Sequence, residues 1–340
     1  MTDSQLPPVL FLLNDRWSVK PDNTTSTLML ACLQLGHPVM VTDVVHLQAT
    51  SATHLFAEAL EIKVGKKIET TKQLAKRFAK AKVRRVPLSN TAGIIIRTAP
   101  GKDITRSWAH RLSLEIMRLA YENGVRIINS PVGLQRASSK LYTVCLPEEY
   151  VPRTMVCHSL KSVETFAETL DGPFVMKPLM GSQGRDVFFL DGYDSLNTRQ
   201  VVDILGRTGY LVVQEYAPEA SEGDIRVLSL DDSIICSDKP IGIRRTPAPG
   251  ERRSNISLGG TASVVELTPK QATICRNVAK LISKDGIRFA GLDLVGEKII
   301  EVNVFSPSGL QEFGDEALAQ RIVKSLLNRS GVNRSAGRAK

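Results

Sequence analysis

The sequence predicts a parallel α/β domain followed by an α+β body rich in antiparallel strands. Three observations carry that expectation. In the first 130 residues the apolar runs "PPVLFLLND", "HPVMVTDVVHL", "GIIIRTA" and "VRIINSP" alternate with helical stretches, the β-α-β order of a parallel sheet. Beyond Leu170 short strands come in pairs around turns, as in "FVMKPLMGSQGRDVFFL" and in "DIRVLSLDDSIICSDKP", which turns at Asp231-Asp232. Near the C-terminal end, "GLDLVGEKIIEVNVFSPSG" (Gly291 to Gly309) alternates apolar strand residues with Asp293, Glu301 and Asn303.

Taken in order, the first strand is followed by a helix from about Ser26 to Leu35 and a second strand. The basic stretch "KKIETTKQLAKRFAKAKVRR", residues 66–85, places Leu74 and Phe78 at helical spacing and reads as a helix with a solvated charged face. "SWAHRLSLEIMRLAYENG" reads as a helix closed by Gly124, and another helix starts at Ser162. "YLVVQEYAP" is a buried strand ending in a polar hinge. The expected domains are 1–130, 131–212 and 213–328, with a basic flexible tail at 329–340.

At 340 residues, 42% hydrophobic and 23% charged, the composition is that of a soluble globular protein with more than one domain. No apolar run approaches the ~18 residues of a membrane span, so no membrane partner is expected. The short apolar run near the N-terminus lacks a basic flank and reads as a strand rather than a signal peptide. Five scattered cysteines without a C-x-x-C pair argue against disulfides or zinc and point to the cytoplasm. The net charge of +9 is concentrated in residues 66–85 and the tail. With 5% aromatics and no reader motif, an anionic small substrate such as a nucleotide explains it at least as well as nucleic acid.

Three segments carry candidate chemistry. In "MKPLMGSQGRD", Gly181, Ser182, Gln183 and Gly184 form a bend whose N–H groups can approach an anion, with Lys177 as a point charge before it. Alone, this is equally a surface hairpin with a solvated lysine. Gln214, Glu215 and Tyr216 end a buried strand where backbone groups can meet an adenine edge, and Asp224 can accept from ribose hydroxyls. Alone, that segment reads as an acidic linker. Glu301 and Asn303, two apart on a strand, share a face. If Gly296-Glu297-Lys298 is the turn, Asp293 lies opposite Glu301, and three oxygen donors suited to Mg²⁺ converge. The alternative is three edge residues pointing into solvent.

In this order the motifs resemble the ATP-grasp superfamily, and within it the prokaryotic-type glutathione synthetases and RimK-like ligases, from about Val9 to Leu327. The most specific segment is "FAGLDLVGEKIIEVNVFSPSGLQE", and "KPDNTTS" after Asp15 is similar to the glutathione synthetase start. The "RRSNISLGG" segment is closer to the RimK form, and residues 54–92 are longer and more basic than the resemblance implies and do not align with it. The resemblance implies an ATP-grasp fold behind a parallel α/β (pre-ATP-grasp) domain. It implies that Lys140 and Lys177 contact ATP, that Gly181 to Gly184 cover its phosphates, and that Gln214 to Tyr216 hold adenine and Asp224 the ribose side. It makes Asp293, Glu301 and Asn303 the ligands of Mg²⁺, with Mn²⁺ as a substitute. Arg226, Arg245 and Arg253 would hold substrate carboxylates and the acyl phosphate, with Asn255 in the closing loop.

The implied activity is ATP-dependent ligation of a carboxylate to an amine through an acyl phosphate, in an acid–amino-acid ligase using γ-glutamylcysteine plus glycine or a related small peptide. A RimK-type glutamate ligase acting on a protein tail or cofactor is the alternative. A non-catalytic ATP-binding protein and a phosphotransferase are two further classes. Family habit implies a homo-oligomer.

Overall fold

The computed structural model describes residues 6–64, 68–181, 184–192, 196–236, 238–254 and 259–328. The strands in the first half are β1 (Val9–Leu13), β2 (Val39–Asp43), β3 (Leu47–Ala49), β4 (Leu55–Ile62), β5 (Val83–Pro87), β6 (Gly93–Ile96), β7 (Ile127–Ile128), β8 (Thr154–Cys157) and β9 (Phe174–Pro178). They are followed by β10 (Phe188–Leu190), β11 (Leu211–Glu215), β12 (Asp224–Leu230), β13 (Ser233–Ile234), β14 (Ile241–Thr246), β15 (Thr261–Glu266), β16 (Phe289–Val295) and β17 (Lys298–Asn303). The helices are α1 (Thr24–Gln34), α2 (Thr71–Phe78), α3 (Ser107–Glu122), α4 (Pro131–Arg136), α5 (Leu141–Val144), α6 (Leu160–Ala167), α7 (Leu196–Gly206), α8 (Pro269–Lys284) and α9 (Glu316–Leu327). Among the described residues no helix is long and apolar enough to cross a membrane.

The chain forms two compact units. The first takes the residues up to Gln135, then Asp285–Phe289 and the chain from Val304 onward. Its sheet runs β3-β4-β2-β1-β6-β7, with β5 on β4. β1, "VLFLL", pairs parallel with β2 and β6 and is buried at every residue, as a central parallel strand covered on both faces must be. The basic segment that the resemblance left unaligned is the antiparallel flank of this sheet: β4 pairs antiparallel with β2, β3 and β5. Its helix α2 buries Leu74 and Phe78, as the spacing predicts. The edge strand β5 was not foreseen, because Val83, Arg84 and Arg85 are all exposed and give no alternating pattern.

α1 starts at a capping box. The Asn23 side chain accepts from the Ser26 N–H at 2.9 Å, and the Ser26 hydroxyl accepts from the Asn23 N–H at 3.3 Å. The expected partition at residue 213 places α9 with the C-terminal body, whereas the structure places it in the first unit. α9 buries Leu318, Ala319, Ile322, Val323 and Leu326, and Gln34 of α1 bonds both Glu316 and Gln320. The side chain of Asn129 holds the returning segments by four bonds. Its Nδ2 donates to the carbonyls of Phe289 and Val304, and its Oδ1 accepts from the Arg288 and Phe289 N–H groups, all at 2.7–2.8 Å.

The second unit, Arg136–Lys284 with Ala290–Asn303, contains two sheets. One is the antiparallel β10-β9-β11-β8, whose core joins Phe174, Met176, Leu211 and Val213 to Val163 of α6 and Leu205 of α7. The other is ordered β15-β14-β12-β16-β17, with β13 on β12. The Asp231-Asp232 turn is present, with Leu230 paired to Ser233 and Asp231 at φ 55°.

The β16–β17 hairpin departs from the expected turn in an instructive way. Val295 pairs with Lys298, so the turn is the two residues Gly296-Glu297, with Gly296 at φ 54°. A bulge between Asp293 and Leu294 then absorbs one residue, and Asp293 faces Glu301 as anticipated.

Candidate active site

In the second unit, the first sheet carries a polar row across three strands. Lys177 of β9 is buried, and its Nζ donates to Gln214 Oε1 at 3.0 Å. Gln214 Nε2 donates in turn to Thr154 Oγ1 at 2.9 Å, directly opposite it on β8. Burial pushes Lys177 down to about 8, against the pull of the Glu301 carboxylate. Lys140, immediately before α5, is tied twice to the strand leaving Lys177. Its N–H bonds the Leu179 carbonyl at 3.3 Å and its Nζ the Gly181 carbonyl at 3.1 Å. Burial lowers its pKa as well, and again Glu301 acts in the opposite direction. Two desolvated lysines from separate segments therefore answer to one carboxylate.

Gly181 and Gly184 sit at φ 147° and 67°, backbone that side-chain-bearing residues rarely adopt. The Gly184 carbonyl accepts from Arg253 Nη1 at 3.0 Å. Arg253 is itself aimed by Glu251, which accepts from its Nε at 3.0 Å and its Nη2 at 2.6 Å. That pairing with Arg253 holds the Glu251 carboxyl down at about 2. Glu251, with no motif around it, was missed by sequence reasoning. Ser182, Gln183 and Asn255 lie outside the described residues.

The second sheet holds a buried four-charge cluster. Asp224 and Arg226 are two apart on β12, Arg245 lies opposite Asp224 on β14, and Asp293 comes from β16. Arg245 grips Asp224 through Nε (2.7 Å) and Nη2, and its Nη2 also reaches Asp293 at 2.9 Å. Arg226 makes a two-point pair with Asp293 through Nε and Nη2. Burial works against the charge on Asp293, yet Arg226 and Arg245 hold its carboxyl at about 2. Asp224 has one guanidinium instead of two, and burial and the neighbouring Asp293 charge raise its pKa. Gly223 permits the close approach of β14 beside Asp224: at φ 98°, a Cβ there would lie 2.0 Å from the Arg245 carbonyl oxygen.

Two expectations are sharpened by this geometry. Arg226 and Arg245 spend donors on Asp293 and Asp224, so within the protein they act as counter-ions. The N–H groups of Glu215 and Tyr216 are already bonded to the carbonyls of Arg153 and Pro173, at 2.9 and 3.1 Å, which removes them as donors to a base.

The fit of a hard cation rests on what remains. Asn303 Nδ2 donates to Asp293 Oδ2 at 3.1 Å, which leaves Asn303 Oδ1 as an acceptor. Among the described residues no hydrogen bond or ion pair reaches the half-buried Glu301 carboxylate. Nor is any group of three His, Cys, Asp or Glu placed there to hold a metal. Glu301 and the Asn303 amide oxygen are open to Mg²⁺, which takes few protein ligands and keeps waters or phosphate oxygens, whereas Asp293 already accepts from Arg226, Arg245 and Asn303.

Comparison with known proteins agrees along most of the chain. The model of the prokaryotic glutathione synthetase N-terminal domain matches residues 8–135, and that of the prokaryotic glutathione synthetase ATP-grasp domain matches residues 139–317. The glutathione synthetase of Synechococcus elongatus is 30% identical over 337 residues, covering 94% of this chain and 98% of that protein. That of Vibrio parahaemolyticus is 31% identical over 229 residues, 67% of this chain and 69% of the relative. Among solved structures, the D-cycloserine synthetase DcsG superposes with a TM-score of 0.66 at 18% identity, covering 94% and 98% of the two chains. A RimK domain ATP-grasp protein from Sphaerobacter thermophilus gives 0.58 at 16% identity, covering 94% and 99%. Both structural matches bear on the fold, which is ATP-grasp.

Proposed function

The chain belongs to the prokaryotic glutathione synthetase family and is an ATP-dependent carbon–nitrogen ligase; on that premise we propose that it joins the carboxylate of γ-glutamylcysteine, or of a related small peptide, to the amine of glycine. The observation that supports the site assignment best is the pair of lysines held by neutral partners, Lys177 by Gln214 and Lys140 by the Gly181 carbonyl, with no carboxylate bonded to either among the described residues. Burial weakens the charged form of both lysines, and an anion placed among them restores it. A triphosphate is such an anion.

In this reading Lys140 and Lys177 neutralise phosphate oxygens while the glycine bend, pinned at Gly184 by Arg253, excludes water from the acyl phosphate. Glu301, Asn303 and Asp293 would hold Mg²⁺, which supplies charge neutralisation on the phosphoryl group being transferred. Arg226 and Arg245 keep Asp293 ionised at neutral pH. In the same reading an arginine, Arg226 or Arg253, stabilises the tetrahedral oxyanion when the amine attacks; Arg253 bonds the Gly184 carbonyl beside the bend and Glu251.

The test is phosphate release from ATP and Mg²⁺ with γ-glutamylcysteine, with and without glycine. Glycine-dependent release accompanied by tripeptide formation is the expected result. Release that instead requires glutamate and a peptide acceptor would move the chain to the RimK-like activity, the reading that the "RRSNISLGG" segment favours.

A further inference from the structure

The basic stretch around α2 and β5 contributes no residue to the ligase site. From Thr70 to Lys102 the chain carries no Asp or Glu, while Lys76, Arg77, Lys80, Lys82, Arg84 and Arg85 follow one another closely. These side chains belong to the last turn of α2, the link after it and the start of β5, all within the first unit. Arg84 pairs with Glu61 at 3.0 Å. Among the described residues Lys76, Arg77, Lys80 and Lys82 are in no ion pair.

β5 is an edge strand, since β4 is the strand it pairs with. The ladder decides which of its backbone groups are satisfied. The Glu58 N–H donates to the His46 carbonyl at 2.9 Å, so the Glu58 backbone faces away from β5. Arg85 lies opposite Glu58 and therefore holds a non-hydrogen-bonded position, with its own N–H and carbonyl directed outward. Val83, two residues away, shares that direction, whereas Arg84 and Val86 bond β4. Pro87 takes the next outward position, where a missing N–H does not weaken the ladder. The Arg85 side chain is held over this edge. Its guanidinium carbon lies 3.7 Å from the Phe56 ring centroid, and its Nε donates to Gln48 Oε1 at 3.0 Å. Among the described residues its two terminal nitrogens are left as donors, in a fork suited to a carboxylate.

We propose that the β5 edge binds an acidic, extended segment of another polypeptide by adding it as a strand, with the basic side chains from α2 to β5 pairing its carboxylates. An antiparallel segment would set one carboxylate against Arg85, a second against Arg84 on the opposite face, and an apolar residue over Val83, which is 42% exposed. From its N-terminus that segment runs acid, acid, apolar. The charge disfavours a second copy of this chain as the occupant, because β5 paired with itself sets arginines against or beside arginines. Nucleic acid would meet the same charges but leave the outward N–H and carbonyl groups of Val83 and Arg85 unused.

The test is fluorescence anisotropy of the full chain with the end-blocked, fluorescein-labelled peptide Thr-Glu-Glu-Val-Glu-Glu-Thr. Three controls accompany it: the same peptide N-methylated at its first glutamate and its valine, the peptide with lysine for every glutamate, and a uridine oligonucleotide of equal length. The parent peptide should bind about tenfold or more tightly than each control at low salt. Val83→Pro removes an outward N–H and leaves the bonds to β4 in place, and Arg85→Gln removes the fork. Each should weaken the parent peptide about fivefold or more, with urea unfolding as the fold check. The N-methylated control is read on the unaltered chain, so the outcome does not depend on either variant folding. Basic residues that only keep the edge from pairing would give no binding up to about 1 mM chain, and that result would overturn the proposal. So would equal binding of the N-methylated peptide, or tighter binding of the oligonucleotide. The readout needs neither ATP nor turnover and stands apart from the ligase reading.

Discussion

Asp293 and Glu301 face each other across one hairpin in opposite surroundings. Asp293 is held by two buried arginines, whereas the Glu301 carboxylate carries none of the protein's own hydrogen bonds among the described residues. Their substitutions should therefore separate. Asp293→Asn removes the buried charge that Arg226 and Arg245 share and should cost about 3 kcal/mol in urea unfolding. Glu301→Gln should change stability by less than about 0.5 kcal/mol. It should still lower kcat by about 100-fold or more. Lys177 gives a pH signature. Its folded pKa of about 8 lies below the ordinary 10.5, so between those values the unfolded chain holds the proton that the folded one has released. Stability from this group is thus lowest and constant below pH 8, and rises as pH climbs through that window, by roughly 3 kcal/mol across it. ATP binding favours the charged lysine and should run the other way. Affinity measured by calorimetry should fall above pH 8 with proton uptake, and Lys177→Met should remove that dependence. An unchanged pH profile in the variant would reject Lys177 as the titrating group.

At the scale of elements, the β16–β17 hairpin positions its acids by a compensated register. A two-residue turn alone would offset the strands by one residue, and a one-residue offset sends a side chain to the other face of a sheet. The bulge after Asp293 restores the pairing with Glu301. Deleting Ile300, the one unpaired residue, should regularise the ladder and leave Asp293 opposite Glu301. Expected is ATP turnover retained with the far-ultraviolet spectrum; near-complete loss of turnover would show that the bulge does more than set the register. The facing of Asp293 and Glu301 was legible in the sequence because polar residues at alternate positions among Leu, Ile and Val stand out. The turn was not, since "VGEKI" accommodates two or three loop residues equally well and the bulge is chosen by the ladder as a whole. Lys177 drew notice as the lysine before the glycine bend, and Lys140 only through the family resemblance. The Arg226–Asp293 and Arg245–Asp224 pairs were not legible, because those partners meet only after strands distant in sequence assemble.

On the scale of the whole molecule, the chain leaves its first unit after Gln135 and returns to it twice, at Asp285–Phe289 and from Val304. The β-α-β opening announced that unit, but nothing local announced the returns. They depend on the Asn129 side chain finding backbone partners as far as 175 residues away, and on α9 burying its apolar stripe there. The hairpin bearing Asp293, Glu301 and Asn303 lies in the chain between those two returns. The charge plan is consistent throughout the described site. Acids within it are matched by arginines except at Glu301, and its two lysines are desolvated rather than paired with carboxylates. In the proposed reading such a plan is completed by ATP with Mg²⁺, and the ligation passes through an acyl phosphate. The most direct test follows one oxygen atom. With γ-glutamylcysteine carrying heavy oxygen in its cysteinyl carboxylate, ATP, Mg²⁺ and glycine, mass spectrometry should find one labelled oxygen in the phosphate released for each peptide bond formed. Unlabelled phosphate alongside peptide product would contradict the account.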